Sequence, residues 1–226
     1  MLETNYRKIL STIPPGVRLV AVSKYKPVED IERVYNAGQR IFGENKAQEM
    51  RAKHEVLPKD IEWHFIGHLQ TNKIKYIVPY VSLIHSIDSL DLLREVNRAA
   101  VKVERVVPCL LQFHIAREET KFGLDEDEAK RLLASEEFQA MRNVRIDGVM
   151  GMGTFTDNKL QVSGEFASLR HIFETLRGRY FSGQAHFKEI SMGMSDDYSI
   201  AIAEGSTLVR IGSSIFGARD YSLKTY

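Results

Sequence analysis

What most constrains this chain is an alternation. Eight short runs rich in apolar and β-branched residues recur along it, at residues 19–23, 40–43, 63–66, 83–86, 107–114, 146–152, 188–192 and 207–211. Helical spacing fills the intervals: in Val28-Glu29-Asp30-Ile31-Glu32-Arg33-Val34-Tyr35 the apolar residues fall at i, i+3, i+6 and i+7 with charges between. Stretches 89–96 and 125–133 read the same way, and 196–204 opens on acids suited to the first turn of a helix. Repeated strand–helix units require parallel strands joined by right-handed crossovers, and eight of them predict a single α/β (β/α)8 TIM barrel. An open doubly wound sheet is the alternative if the two weakest runs, 40–43 and 83–86, are loops. Residues 6–13, stopped by Pro14-Pro15, predict a leading N-terminal helix that covers the barrel floor.

With 226 residues, 43% hydrophobic and 27% charged, the chain suits one domain, 1–226, with a full-sized core. Thirty-one Lys and Arg oppose thirty Asp and Glu, so no overall field recruits nucleic acid or an acidic membrane, and any anion site must be local. Cys109 is the single cysteine and sits in the apolar run Pro108-Cys109-Leu110-Leu111, which excludes an internal disulfide and suits a buried thiol in a reducing compartment. The first residues carry no apolar core of signal-peptide length, and no stretch of about 18 apolar residues occurs, so the expected location is the cytoplasm.

In such a barrel the functional residues stand at the C-terminal ends of strands. Lys24 follows Leu19-Val20-Ala21-Val22-Ser23, a run apolar enough to be buried on both faces. Partial desolvation there would lower its pKa, as a lysine that attacks an aldehyde near neutral pH requires. The plainer reading is a strand-end lysine that snorkels to water. A second element is Val209-Arg210-Ile211-Gly212-Ser213-Ser214, where a strand ends in a glycine and two hydroxyl residues, a backbone suited to phosphate. Strand seven ends in the similar turn Ser191-Met192-Gly193-Met194-Ser195-Asp196, and TIM-barrel phosphate sites often lie after strands seven and eight. Ordinary Gly/Ser turns would look the same. Arg210, a permanent charge inside a core strand, must meet a carboxylate, another acceptor or the nitrogen of a bound heterocycle.

His64 and His68 are four apart, but on a strand and its turn, without the acidic partner of a zinc motif, so no metal is expected. Gly148-Val149-Met150-Gly151-Met152-Gly153 does not fit the dinucleotide fingerprint and reads as strand six with its loop.

Five blocks then carry a resemblance. Val22-Ser23-Lys24, Phe42-Gly43-Glu44-Asn45, residues 63–73 (Trp-His-Phe-Ile-Gly-His-Leu-Gln-Thr-Asn-Lys), residues 191–197 (Ser-Met-Gly-Met-Ser-Asp-Asp) and residues 209–221 (Val-Arg-Ile-Gly-Ser-Ser-Ile-Phe-Gly-Ala-Arg-Asp-Tyr) closely resemble the YggS/PROSC family of pyridoxal phosphate homeostasis proteins. The resemblance runs in order over nearly the whole chain. It implies a single barrel similar to the N-terminal domain of alanine racemase, with pyridoxal 5′-phosphate (PLP) bound through an internal Schiff base on Lys24. It further implies that Ser191, Gly212 and Ser213 cradle the phosphate, that Arg210 faces the pyridine nitrogen, and that Asn45 lies near the ring. At the end of strand five, His114 and Arg117 depart from the small residues that many members carry.

An arginine at the pyridine nitrogen keeps it unprotonated and weakens the ring as an electron sink. The resembled racemase also takes a tyrosine base from a second domain, for which no counterpart is expected here. The expected function is therefore a PLP carrier and buffer in vitamin B6 homeostasis, with little or no catalysis, acting as a monomer, with PLP-dependent apo-enzymes as candidate partners. The alternative is a small PLP-dependent amino-acid racemase using Lys24 as one base and His68 or His114 as the other. A third possibility is a phosphate-binding barrel without PLP.

Overall fold

The computed structural model describes residues 1–116 and 122–218. Eight parallel strands, β1 (Arg18–Val22), β2 (Ile41–Glu44), β3 (Glu62–Phe65), β4 (Leu83–Ile87), β5 (Val107–Phe113), β6 (Val144–Gly151), β7 (Glu189–Ser191) and β8 (Leu208–Ile211), pair in sequence order. The register Val20↔Arg210 between β1 and β8 closes the ring. Both doubtful runs are strands within it, so the open-sheet alternative falls. Around the barrel lie α1 (Leu2–Leu10), α2 (Val28–Asn36), α3 (Ala47–Val56), α4 (Leu90–Val101), α5 (Glu126–Ala134), α6 (Glu136–Ala140), α7 (Lys159–Tyr180), α8 (Tyr198–Ala203) and α9 (Ser213–Phe216), with a 3-10 turn at Thr71–Tyr76.

Strand parity sorts the core into two. Leu19, Ala21, Phe42, Trp63 and Phe65 pack outward against the helices in one large cluster, while Val20, Leu83, Leu110, Met150 and Leu208 form a separate cluster inside the ring. The interior is tight. A Cβ on Gly43 would come within 2.9 Å of Val20 Cγ1, and one on Gly148, where φ is 155°, within 1.9 Å of the Glu189 carbonyl oxygen.

Local chemistry accounts for several boundaries. Ser89 caps α4 by accepting the Leu92 N–H at 3.2 Å, and Asp125 with Glu128 forms a capping box at the start of α5. The acids at 196–197 do not open a helix as expected. Asp197 instead accepts the Met194 N–H at 2.5 Å, closing the turn before α8 starts at Tyr198. The leading helix also departs from expectation in extent and place. It covers residues 2–10 and lies on the barrel flank rather than the floor: Glu3 pairs with Arg33 of α2 at 2.8 Å, and Asn5 Nδ2 donates to the Ile215 carbonyl of α9 at 3.3 Å. The four-residue α9 is too short to shield the β8–β1 seam, and α1 takes that place, burying Tyr6. Among the described residues no helix is long and apolar enough to cross a membrane.

Candidate functional site

Lys24 follows the last residue of β1 by two positions and is half-buried at the end where the barrel opens. It is the second residue of a tight turn in which the Lys26 N–H donates to the Ser23 carbonyl at 3.0 Å. The third residue, Tyr25, has φ 61°, a left-handed conformation that an aromatic residue rarely adopts. Buried Lys26 ties this turn to the end of α9, donating to the carbonyls of Phe216 at 2.9 Å and Ala218 at 2.8 Å.

The end of β8 reaches the same place. A Cβ on Gly212 would lie 3.1 Å from the Val22 carbonyl oxygen and 3.2 Å from Val22 Cβ, so the glycine lets β8 close against β1 two residues before Lys24. Ser213 follows it, exposed, as the first residue of α9, whose opening amides have no intrahelical acceptor. On the other side of β1, Val22 pairs with Gly43 of β2, and Asn45 stands just beyond. Gly67 packs so closely on Asn45 that a Cβ there would meet the Asn45 carbonyl oxygen at 2.5 Å. Asn45 Oδ1 is buried and has no hydrogen-bond partner.

Arg210 is inside the barrel and 4% exposed. Its Nη1 donates to the Ser191 carbonyl at 2.8 Å and to Ser191 Oγ at 2.6 Å, and its Nη2 donates to the Gly151 carbonyl at 3.1 Å. These three bonds leave the Nε–H and one Nη2–H of its five donors over. All three acceptors are neutral, so the salt bridge that the plainer reading of Arg210 required is not made among the described residues. Burial lowers its pKa to about 10, countered by the charge of Asp197.

Ser191 Oγ is engaged within the barrel. Its residue is fully buried, and its hydroxyl lies in the barrel interior between Arg210 and His85 Nδ1, the latter 2.9 Å away. His85 Nε2 in turn meets His64 Nδ1 at 2.9 Å. Burial holds His64 at a pKa of about 3, and burial with the charge of Arg210 among its neighbours holds His85 well below the usual range, so both rings are neutral. Because an arginine only donates, Ser191 Oγ accepts from it and can pass its own proton toward His85, which then donates to His64. Ser191 is thus a prop for Arg210, committed to the interior. Ser195, in the turn beyond Gly193, is partly exposed.

The two histidines considered as bases flank the mouth. His68 is exposed, stacks on Phe122 at 4.9 Å between centroids and lies 3.7 Å from Asp88. His64 and His68 are therefore separated, one in the interior and one outside. His114 is exposed at the end of β5, and Arg117 falls outside the described residues. Cys109 is fully buried, and burial pushes its thiol far up, as suits an inert side chain.

The family model for the alanine racemase N-terminal domain matches residues 1–220. The pyridoxal phosphate homeostasis protein of Aquifex aeolicus (strain VF5) is 40% identical over 205 residues, covering 90% of this chain and 88% of that protein. The chain belongs to the pyridoxal phosphate homeostasis proteins. Within the solved structures this family member resembles PipY of Synechococcus elongatus PCC7942, determined with PLP bound, at a TM-score of 0.87 and 34% identity over 96% of this chain and all of that one. The alanine racemase of Streptomyces coelicolor A3(2) shares the fold, with a TM-score of 0.78 at 17% identity, but this chain spans only 58% of it.

Proposed function

We propose that this protein binds PLP as a Schiff base on Lys24 and serves as an intracellular PLP carrier and buffer in vitamin B6 homeostasis. The observation that carries this reading is the convergence on one barrel mouth of Lys24, the unpartnered buried Asn45 Oδ1 and an Arg210 engaged only by neutral acceptors. That set fits a phosphorylated pyridine aldehyde. Lys24 supplies the amine; Arg210, with donors to spare, suits the ring nitrogen; Asn45 suits the ring's polar edge. The amides and hydroxyl of Gly212 and Ser213, joined by Ser195, suit the phosphate, a role from which the committed hydroxyl of Ser191 is withdrawn. PLP contributes a reactive aldehyde and an electron-withdrawing ring.

Arg210 also limits chemistry. A fixed guanidinium cannot hand a proton to the ring nitrogen as a carboxylic acid would, so the site favours holding PLP over activating an amino acid. The relatives named for PLP homeostasis, and PipY with PLP bound, support the same reading. We further propose a single working unit, monomeric and cytoplasmic, that supplies PLP to apo-enzymes.

The test is reconstitution with PLP, borohydride reduction and peptide mapping of wild type and Lys24→Ala. The expected result is a stoichiometric adduct on Lys24 that the variant lacks. No adduct on the wild type would leave only a phosphate-binding barrel. Racemization of alanine above the free-PLP background, abolished by Lys24→Ala, would overturn the carrier reading in favour of an enzyme with His68 or His114 as its second base.

A further inference from the structure

Behind the turn that presents Lys24 lies a cluster of three charged side chains with no access to solvent. Lys53 of α3 is 0% exposed, Glu44 of β2 0% and Glu49 of α3 1%. Lys53 Nζ has three donors and uses them on Glu44 Oε1 at 2.8 Å, Glu49 Oε1 at 2.7 Å and the Ser23 carbonyl at 2.8 Å. Glu44 Oε1 also accepts from Ser23 Oγ at 2.5 Å, and Glu49 Oε1 accepts the Tyr25 N–H at 2.7 Å. The cluster therefore grips the backbone on both sides of Lys24, at residue 23 through its carbonyl and hydroxyl and at residue 25 through its amide.

Holding α3 on the barrel does not require charges. Three well-packed apolar side chains would do so without the desolvation that buried ions incur. What apolar groups cannot do is bond Ser23 and Tyr25. The Tyr25 position needs such a bond, since glycine or asparagine is the usual residue where a turn requires positive φ, and here an aromatic residue is held at φ 61°.

We propose that Lys53, Glu44 and Glu49 are positioning residues that lock the turn of residues 23–26 and so aim the Lys24 amine. The inference rests on the reading of Lys24 as the PLP anchor. It separates two contributions to binding. The phosphate and ring would be held by Asn45, Arg210, Gly212, Ser213 and Ser195, whereas the covalent bond would depend on the clamp.

Glu49→Ala removes the acceptor of the Tyr25 N–H, and Glu49→Gln keeps it. Each variant is titrated with PLP and with 4′-deoxypyridoxine 5′-phosphate, which retains ring and phosphate but lacks the aldehyde. An unmet buried donor predicts that Glu49→Ala weakens PLP binding and the borohydride-fixed yield on Lys24 by roughly tenfold or more. Binding of the deoxy compound stays within about twofold, and Glu49→Gln recovers most of the loss. Equal weakening toward both ligands, or none toward PLP, overturns the clamp. Should Glu49→Ala fail to fold, hydrogen exchange at the Tyr25 amide of the wild-type apo protein decides. Protection of about a hundredfold or more is expected, and exchange at the unprotected rate refutes the proposal. Absence of any wild-type adduct would overturn the PLP reading itself, while an adduct that Glu49→Ala leaves at wild-type strength overturns only the clamp.

Discussion

Glu44→Gln should flatten part of the pH dependence of stability. Glu44 is fully buried, and desolvation, with the nearby charge of Glu49, raises its pKa from 4.5 to about 7 against the opposing pull of Lys53. Between those two values the folded state binds a proton that the unfolded state has released. Stability from this group is therefore present at low pH and lost as pH rises through about 7. Integrating the shift gives a loss of roughly 2–3 kcal/mol between pH 5 and pH 8 from this one side chain. The glutamine of the variant would keep an acceptor for Lys53 Nζ and Ser23 Oγ while placing an amide where Glu44 Oε2 now has no partner. Urea unfolding of the apo proteins at pH 5, 6, 7 and 8 measures the difference between wild type and variant, in which the other titrating groups largely cancel. The wild type should lose roughly 2–3 kcal/mol relative to the variant across that range, which for a chain of this size is roughly 5–10 °C in Tm. A difference constant to within about 0.5 kcal/mol would refute the reasoning. So would a relative gain by the wild type as pH rises, for that would mean Lys53 outweighs burial and holds the carboxyl below its ordinary value.

Other consequences of the packing can be measured separately. Gly148→Ala would drive a Cβ to 1.9 Å from the Glu189 carbonyl, so it should cost roughly 3 kcal/mol or more in urea unfolding by prising β6 from β7. Gly212→Val would press on the Val22 carbonyl, 3.1 Å from the added Cβ, and shift the β8 end against the Lys24 turn; PLP titration should show at least about tenfold weaker binding. Arg210→Lys replaces a guanidinium that bonds both Ser191 and the Gly151 carbonyl with an ammonium that cannot span them, and should lower stability by about 1–3 kcal/mol in the same assay. Cys109 should resist thiol reagents in the native protein at neutral pH and react only as fast as the chain opens, which a reagent-concentration series would establish.

Much of the barrel is legible in the sequence because strands buried on both faces announce themselves. Residues 107–113 are apolar almost throughout, and the structure ends β5 at Phe113, one residue short of the expected 114. The long α7 is a helix that the alternation calls for between runs six and seven without the sequence reading naming its residues: Val162, Phe166, Leu169, Phe173 and Leu176 are its buried face at helical spacing. Helix α3 is a different case. Its inward positions include Glu49 and Lys53, residue types that pattern rules send to solvent, so the periodicity that marks a packed helix is erased where the buried ions sit.

The candidate site divides along the same line. Lys24, Asn45, Arg210, Gly212 and Ser213 stand out by position at strand ends, and the structure gathers them at adjoining ends of β1, β2 and β8. The partners of Ser191 are not legible in the sequence because strand parity decides where a hydroxyl points: β7 turns Ser191 inward onto Arg210. His64 and His85 escape notice as a pair for the same reason, since only closure of the ring brings β3, β4 and β7 onto one interior chain of hydrogen bonds. Contacts along a strand are encoded locally, whereas contacts across a barrel exist only once the register of every intervening strand is set. The groups that bond Arg210 and the Lys24 turn belong to the second kind, so the candidate residues can be read from the chain while the side chains bonded to them and to their backbone emerge only with the closed fold.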